Sequence, residues 1–517
     1  MRKLYRFLFS RYTLSAIVIL LSLGLVWAFL WFMSAYSLFF YATLTVLDII
    51  VVLSIINREA NPEYKLPWLF IALIVPFFGP ALYVIFYSRK LSKKETKLLR
   101  KIHLLASSAS ARVHEERQGE NIVALGAADT HALGKARAIL NDDPSADLYR
   151  GSESKYYPLG ELMYKDMLLD IERAEKYIFL EYFIIDEGVM WDGIYTRLCE
   201  KARSGVDVRV LYDDIGCMKT LNSRFPKKLA EDGIKALRFS KVTPRVSAIH
   251  NNRDHRKILA IDGKVAYTGG VNIADEYINE IERFGHWKDG GIRVFGDAAV
   301  GFTKLFLSAW DLTTGTVSNY FDYFEPTEND FSGDGGFYIP FGTGPAPIYS
   351  RPVGKDLFIN LINQAESYVY ITTPYLIIDY ALTDALKCAA LRGVDVRIIT
   401  PAVPDKKRIK IMTKSAYPAL MESGVRIFEY LPGFIHEKLM VVDDRYAVVG
   451  TINLDYRSLV HHFEDGLWMY NTPTVTDIKG EFLKTVSVSD EIDESEARLT
   501  VFEKLVKILI RLFAPLL

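Results

Sequence analysis

The sequence predicts an α/β protein in which two similar halves pack around one shared active site, preceded by N-terminal transmembrane helices. Three observations support this fold class: an apolar N-terminal region, a strand–helix–strand pattern that occurs twice, and a His-x-Lys-x4-Asp motif that also occurs twice. A chain of 517 residues is long enough for two or three domains with buried cores. Because the formal net charge is −1, no overall basic field attracts nucleic acid, and we expect no nucleic acid as a partner.

Residues 1–90 form the predicted membrane anchor. The run from Tyr12 to Met33 is 22 residues long and carries no charge, which suffices for one span. A second run extends from Tyr36 to Ile56 and is interrupted only by Asp48. A third apolar stretch, from Leu66 to Tyr87, is broken by prolines and a glycine.

Lysines and arginines indicate the orientation of these segments. They cluster before the first run, between the second and third runs, and after the third run. The positive-inside rule places all three clusters in the cytoplasm. Two full spans and a re-entrant or interfacial third segment satisfy this rule and put the catalytic region on the cytoplasmic side, whereas three full spans would put the densest cluster outside. Asp48 is either a functional residue or one that reaches the polar interface.

The rest of the chain contains an internal repeat. The strand-like run Tyr177–Phe183 precedes a helical pattern and a second strand, 205–212, and the same order recurs from 368 to 400. Both second strands begin with Gly-Val-Asp-Val-Arg, which indicates two homologous α/β halves. The predicted segments are a basic, polar linker (91–134), the first half (135–330), a Gly/Pro-rich linker (331–347), the second half (348–495) and an amphipathic C-terminal helix (496–517).

Each half carries the same motif. The candidate catalytic residues are His255, Lys257 and Asp262 in the first half, and His436, Lys438 and Asp443 in the second. Each motif is followed by Gly-x-x-Asn, which adds Asn272 and Asn453 as supporting residues. Chance would give roughly 0.03 such motifs in a chain of this composition, so two copies indicate a functional repeat.

The spacing within the motif separates two roles. The apolar run between Lys and Asp predicts a buried strand that enters a hairpin turn. Residues two apart on a strand share a face, so each histidine points the same way as its lysine. Each aspartate is seven residues from its histidine and falls on the other face, where we expect it to support the end of the strand.

Two histidines at the junction of two halves suit substitution at phosphorus in two steps. One imidazole attacks the phosphodiester to form a phosphohistidine, and the other moves protons to the leaving alcohol and from the incoming one. The lysines and asparagines supply charge and donors to the non-bridging oxygens. We expect no metal and no cofactor, since the carboxylate cluster of a two-metal phosphodiesterase is missing from the sequence.

Each histidine needs an acceptor that orients its ring. Glu464 is the predicted partner of His436, because it follows the Asn453 loop of the same half. Asp289 is the predicted partner of His255 by the same reasoning.

These motifs resemble the phospholipase D superfamily. The N-terminal Pro-Phe-Phe-Gly-Pro sequence (76–80), the Trp-Lys-Asp sequence (287–289), the stretch from Thr451 to Ser458 and the final Ala-Pro-Leu-Leu are similar to bacterial cardiolipin synthases in particular. The resemblance covers nearly the whole chain. It implies an enzyme of the bacterial cell membrane that transfers a phosphatidyl group reversibly between two phosphatidylglycerol molecules, giving cardiolipin and glycerol through a phosphohistidine.

Two residues depart from the pattern of that family. Asp254 stands before the first histidine, where asparagine is common, and Thr451 replaces a serine. We expect neither to carry the chemistry, although Asp254 is a possible source of greater basicity at His255.

The C-terminal segment independently suggests a lipid substrate. At about 100° per residue, the cations Lys504, Lys507 and Arg511 fall on one ridge and apolar residues cover the opposite face. A terminal helix that packs on the core is the alternative. Two other function classes stay open: a hydrolase of the same superfamily, either a membrane phospholipase D or a nuclease, and a scaffold without activity. The sequence leaves the oligomeric state unknown.

Overall fold

A computed structural model describes most of the chain. The described residues are 20–24, 27, 37–59, 61–86, 92–143, 145–241, 252–324, 333–501, 503–504, 507–508 and 510. They belong to two compact units, one at the N-terminus up to Arg89 and one that contains nearly all of the later chain.

The described part of the N-terminal unit includes the helices α1 (Ser37–Asn57), α2 (Pro62–Ile74) and α3 (Phe78–Phe86). Its small core contains Ile55, Trp68, Ala72 and Tyr83. The helical structure is interrupted between α2 and α3, where the backbone N–H of Phe77 donates to Asp48 Oδ2 at 2.9 Å. Asp48 therefore satisfies a backbone donor that the helix break leaves free.

The structure does not support the predicted transmembrane helices. Almost all of the first apolar run, Tyr12 to Met33, lies outside the described residues. Within the part of the chain that is described, no helix combines the length and the apolar character needed to cross a membrane.

The second unit contains two large mixed sheets. The first sheet has the strand order β1-β8-β6-β5-β2-β3-β4. Its strands are β1 (Ser152–Tyr157), β2 (Tyr177–Tyr182), β3 (Asp207–Asp213), β4 (Lys235–Phe239), β5 (Lys257–Ile261), β6 (Val265–Gly269) and β8 (Gly291–Gly296).

The second sheet has the order β19-β13-β12-β10-β15-β16-β18-β9. Its strands are β9 (Phe337–Thr343), β10 (Tyr368–Thr372), β12 (Asp395–Pro401), β13 (Arg426–Tyr430), β15 (Leu439–Val442), β16 (Tyr446–Gly450), β18 (Glu464–Tyr470) and β19 (Ser489–Glu491). Apart from β19, the two orders are the same, which confirms the predicted repeat. The strands beginning at Asp207 and Asp395 occupy equivalent places, next to β2 and β10.

Four short strands connect the halves or brace their loops. They are β7 (His286–Lys288), β11 (Leu376–Ile377), β14 (Gly433–Ile435) and β17 (Leu454–Asp455), which pair as β7 with β14 and β11 with β17.

Helices form layers around and between the sheets. In chain order they are α4 (Lys93–Ala128), α5 (Thr130–Asp142), α6 (Gly160–Arg173), α7 (Val189–Arg203), α8 (Phe225–Glu231), α9 (Ala299–Thr314), α10 (Val353–Asn363), α11 (Tyr380–Leu391), α12 (Lys407–Lys414), α13 (Tyr417–Met421) and α14 (Pro473–Ser487). One core is shared by the two halves and includes α9 and α14, and each sheet has a further core on its outer face. The two halves are therefore joined by continuous apolar packing.

The two predicted linkers differ from the structure. Residues 93–128 form α4, because Ile102, Ala106 and Ala109 recur at helical spacing and are buried in the shared core. The Gly/Pro-rich segment 331–347 contains β9, an edge strand that pairs with β18. Of the predicted C-terminal helix, the apolar residues 502, 505, 506, 509 and 513 lie outside the described residues.

Candidate active site

His255 and His436 lie at equivalent places in the two halves. Each lies two or three residues before a central strand, β5 or β15, and each is buried, with 8% and 7% of its surface exposed. The structure therefore puts both predicted histidines at the junction between the halves.

The carboxylate partners are crossed between the halves. His255 Nδ1 lies 2.8 Å from Glu464 Oε2, and His436 Nδ1 lies 2.6 Å from Asp289 Oδ2. The predicted pairing, Glu464 with His436 and Asp289 with His255, was therefore wrong. The four residues were identified correctly as a group, but each histidine takes its acceptor from the other half.

Strand pairing between the halves explains the crossing. β7 pairs in parallel with β14, and the backbone N–H of His436 donates to the carbonyl of Lys288 at 2.7 Å. Asp289, the next residue, is thus held beside His436. In the same way the backbone N–H of His255 donates to the carbonyl of Phe463 at 2.8 Å, which places Glu464 beside His255. Neither motif histidine takes its carboxylate partner from its own half.

Lys257 and Lys438 follow the histidines into the same buried region. Lys257 Nζ donates to the carbonyl oxygen of His255 at 2.6 Å, and Lys438 Nζ donates to that of His436. Burial lowers the pKa of Lys257 to about 8 and that of Lys438 to about 7, although nearby carboxylates oppose the shift. Both ammonium groups are therefore poorly solvated, which strengthens their interaction with an anion.

Asp262 and Asp443 support strand ends, as face parity predicted. Asp262 accepts hydrogen bonds from the backbone N–H groups of residues 175, 176 and 177 at 2.7–2.9 Å. Asp443 accepts the equivalent three, from residues 366, 367 and 368, each at 2.8 Å. Both aspartates adopt positive φ angles, 54° and 55°, in the turn that closes the hairpin. Each carboxylate thus ties its hairpin to the start of the neighbouring strand.

The two asparagines have different surroundings. Asn272 Oδ1 accepts from the backbone N–H of Ile184 at 3.0 Å, and its Nδ2 donates to the hydroxyl of Tyr277 at 2.8 Å. Asn453 Oδ1 is buried and has no hydrogen-bond partner among the described residues. Asn272 therefore braces the loop beside the site, while the role of phosphate donor stays a prediction for both.

Burial also sets the protonation of the two pairs. It lowers the pKa of His255 and of His436 well below the usual 6.5, and the two lysines act in the same direction. Burial raises the pKa of Asp289 to about 7, against the effect of Lys438 and Lys257. These shifts favour neutral imidazoles, which is the form that can attack phosphorus or accept a proton.

Several supporting residues were missed by sequence reasoning. Thr451 Oγ1 donates to Glu464 Oε2 at 2.5 Å, so this departure from the family pattern orients the carboxylate beside His255. Asp465 accepts from the backbone N–H of Lys257 at 3.3 Å and from Thr268 Oγ1 at 2.5 Å. The signal that could have found Asp465 is its position directly after Glu464, on strand β18, which begins at the site.

Asp254 does not contact the ring of His255. Its carboxylate accepts from the backbone N–H of Arg256 at 3.3 Å and lies near Glu181, whose nearest cation is Arg256 at 3.6 Å. The acceptor at His255 Nδ1 is Glu464, so the expectation that Asp254 raises the basicity of His255 was wrong. Residues 254 and 256 alternate with 255 and 257, which turns them to the opposite face.

Aromatic rings enclose His436 more than His255. The rings of Tyr277, Trp287 and Phe434 lie 5.6–5.7 Å from that of His436. The ring of His255 lies 5.0 Å from Phe183 and 5.7 Å from His462.

Family comparisons cover both halves of the second unit. The model described as cardiolipin synthase, PLD-like domain, matches residues 167–282 and 358–486, which contain both motifs. A second model, described as phospholipase D-nuclease N-terminal, matches residues 46–86.

Individual relatives match nearly the whole chain. A Streptococcus mutans protein described as uncharacterized is 40% identical over 90% of this chain and 99% of its own length. A cardiolipin synthase of Alkalihalophilus pseudofirmus is 32% identical over 94% of this chain and 95% of its own. Among solved structures, the phosphatidylserine synthase of Haemophilus influenzae Rd KW20 covers 74% of this chain and 98% of its own, with a TM-score of 0.55 and 16% identity, which supports the fold alone.

Proposed function

This chain belongs to the cardiolipin synthase family of PLD-like proteins, and we propose that it transfers a phosphatidyl group from one phosphatidylglycerol to another through a phosphohistidine. The products are cardiolipin and glycerol, and the reaction is reversible. The observation that carries the proposal is the pair of crossed histidine–carboxylate contacts, because it makes one site out of two halves.

The first step needs one nucleophile and one acid. The free Nε2 of one histidine attacks phosphorus, the bond from phosphorus to the glycerol oxygen breaks, and the second histidine, protonated, gives its proton to that oxygen. The carboxylate at each Nδ1 fixes the tautomer that leaves Nε2 available and stabilises the ring when it becomes positive. Burial favours the neutral form of the attacking ring, whereas the negative charge of the bound phosphodiester favours the proton on the second ring.

The second step reverses these roles. The second histidine, now neutral, takes the proton from a hydroxyl of the incoming phosphatidylglycerol as its oxygen attacks phosphorus. The bond from phosphorus to nitrogen breaks, and both histidines return to their starting states. Lys257 and Lys438 would hold the non-bridging oxygens through both steps, since charge grows there in each transition state.

A phospholipid substrate requires a membrane surface. The N-terminal unit carries apolar side chains that are more than half exposed, including Val46, Leu53, Leu73 and Ile85. The sequence adds the uncharged run from Tyr12 to Met33. These features support an anchor in the cell membrane. The lysine and arginine clusters around the apolar segments favour two spans, a re-entrant or interfacial third segment and a catalytic unit on the cytoplasmic side.

The topology can be tested with one cysteine. A cysteine at Lys94, in a Cys388→Ser background because Cys388 is exposed, should resist an impermeant thiol reagent in intact cells and react after permeabilisation. Labelling in intact cells would show that the catalytic unit faces outward.

A membrane phospholipase D is the second candidate, since it differs only in using water as the acceptor. Purified protein in micelles with labelled phosphatidylglycerol distinguishes the two by product. Cardiolipin and an equal amount of glycerol support the transferase, whereas phosphatidic acid identifies the hydrolase. The His436→Ala variant should give neither product and serves as the control for a contaminating enzyme.

A further inference from the structure

One group of side chains at the site has the composition of a metal site. His255, His462 and Glu464 are buried, and each offers a potential ligand atom within 4.8 Å of the other two. Two imidazoles and one carboxylate form the ligand set that transition metals such as Zn²⁺ favour, whereas Mg²⁺ and Ca²⁺ favour oxygen ligands.

His462 has no part in the proposed transfer reaction. It is only 7% exposed, and neither ring nitrogen has a hydrogen-bond partner among the described residues. Its Nδ1 lies 3.8 Å from Glu464 Oε1, an oxygen that is also buried and without a hydrogen bond in that part of the chain. Unsatisfied buried polar atoms of this kind indicate a missing ligand, because leaving them unpaired costs free energy.

We propose that His255, His462 and Glu464 bind a divalent transition-metal ion such as Zn²⁺, and that this ion inhibits the enzyme reversibly. Ion binding follows from the ligand geometry alone, while inhibition rests on the proposed function of His255. Three ligands at 2.0–2.1 Å from Zn²⁺ lie roughly 3.3 Å apart in tetrahedral geometry. Ligand atoms that are now up to 4.8 Å apart would therefore approach by at most about 1.5 Å, whereas His255 Nδ1 and Glu464 Oε2, now 2.8 Å apart, would separate slightly.

Inhibition follows from the position of the ion. Nδ1 of His255 is the nitrogen that faces Glu464, at 2.8 Å. An ion held there replaces the shared proton, draws electron density from the ring and occupies the carboxylate that orients it. The remaining nitrogen, Nε2, then becomes a weaker nucleophile and a weaker base.

The first half provides an internal control. Trp287 occupies the place that corresponds to His462, because it stands two residues before Asp289 as His462 stands two before Glu464. Among the residues that the structure describes, the cluster around His436 therefore has one imidazole and one carboxylate but no third ligand. Transition-metal binding should occur at His255 and not at His436.

Co²⁺ absorption tests the binding step without any activity. In the Cys388→Ser background, which removes the exposed thiol, we expect one Co²⁺ per chain with the visible bands of a tetrahedral site. His462→Gln and His462→Phe should each weaken Co²⁺ binding at least tenfold, which is the lower end of the cost of losing even an outer-shell partner. Trp287→His should add a second Co²⁺ per chain at His436 and Asp289.

Zn²⁺ titration of the transfer reaction tests inhibition. The Zn²⁺ concentration for half inhibition should rise at least tenfold in His462→Gln, and EDTA should restore the wild-type rate. His461→Gln, which changes the neighbouring histidine, should leave that concentration unchanged. Micelles of the same composition in every assay keep Zn²⁺ binding by lipid constant.

The possible results separate the two proposals. Equal Co²⁺ binding and equal Zn²⁺ inhibition in wild type and both His462 variants would overturn the metal site and leave the transferase standing. Co²⁺ binding that depends on His462, in a protein that forms no cardiolipin, would overturn the transferase and leave the metal site standing.

Discussion

The two halves carry the same motif, but they build the surroundings of their histidines differently. His436 is packed among Tyr277, Trp287 and Phe434, whereas His255 has Phe183 and the polar His462 as ring neighbours. The two histidines therefore have different environments, as a reaction with one nucleophile and one acid requires.

The carboxylates beside the two histidines, Glu464 and Asp289, are also held in different ways. Glu464 is supported by the hydroxyl of Thr451, which donates to it at 2.5 Å. Asp289 is shorter, and the residue equivalent to Thr451 is Gly270. A Cβ at position 270 would lie only 2.0 Å from Asp289 Oδ1. One half thus holds its carboxylate with a hydroxyl, and the other makes room for its carboxylate with a glycine.

The crossing of partners makes the halves interdependent, and the largest expected effects test this. His255→Ala and His436→Ala should each reduce cardiolipin formation by at least about 10⁴-fold, because nucleophile and acid are both required. The double variant should be no worse than either single one. The measurement is the initial rate in micelles. Substantial activity in either single variant would mean that each half works alone.

The fold could be predicted from the sequence because its signals are local. The Gly-Val-Asp-Val-Arg element starts a strand at Asp207 and again at Asp395, and the two motifs enter hairpins as expected. Alternation along a strand correctly separated Lys257 from Asp262. These inferences need only the geometry of a strand and its turn.

The partner assignment failed because it depends on contacts distant in sequence. His255 and Glu464 are 209 residues apart. The pairing of β7 with β14 joins the two halves, and the sequence of either half alone gives no sign of it. Composition also gave a wrong prediction for α4, which is polar overall although it buries Ile102, Ala106 and Ala109 on one side. Thr451 was not expected to carry the chemistry, and the supporting role of its hydroxyl, which orients Glu464, was not predicted.

The second prediction tests the difference between the carboxylates. Gly270→Ala should reduce transfer by about 10³-fold, since the new methyl group would displace Asp289 from His436 and a lost orienting carboxylate costs up to about 10⁴-fold elsewhere. Thr451→Ala removes the hydroxyl that donates to Glu464 and accepts from the backbone N–H of Asp465. The bond to Glu464 is worth about 1–3 kcal/mol, so a loss of about tenfold or somewhat more is expected.

A second glycine-to-alanine substitution, at a position away from the site, serves as a control for the general effect of adding a methyl group to the backbone. Gly480 has open space where a Cβ would project, so Gly480→Ala should retain wild-type activity. Equal losses in Gly270→Ala and Thr451→Ala would contradict the asymmetry and imply that both carboxylates are held in the same way.

The third prediction concerns a feature that the halves share. Asp262→Asn and Asp443→Asn each place an amide donor against backbone N–H groups that need an acceptor, which should cost about 1–3 kcal/mol of stability. Thermal midpoints in detergent should fall by a similar few degrees for both variants. If Asp443→Asn is inactive but melts like the wild type, its carboxylate takes part in the chemistry and the parity argument fails.

The last prediction concerns the buried lysines, whose effect on stability depends on pH. Both lysines have lowered pKa values in the folded chain, about 7 for Lys438 and about 8 for Lys257, against 10.5 when unfolded. The unfolded chain therefore binds more protons between those values and 10.5, and this term makes stability rise with pH over that window. Below about pH 7 both states are protonated, and the full cost of burying the charge is present.

Replacing Lys438 by Met removes that cost together with its hydrogen bond to the carbonyl of His436, which is worth about 1 kcal/mol. The thermal midpoint of Lys438→Met relative to wild type should be highest at pH 6 and should decline above pH 7, even though activity is lost at every pH. Lys257→Met should show the same decline about one pH unit higher, because its folded pKa is higher. Lys264→Met, at an exposed position in the turn after the first motif, should show no such trend. Melting curves from pH 6 to 9 test these expectations. If the difference in thermal midpoint between Lys438→Met and the wild type does not change with pH, this lysine keeps its ordinary pKa. If the decline of that difference begins at the same pH for Lys257→Met and Lys438→Met, the two halves bury their lysines equally.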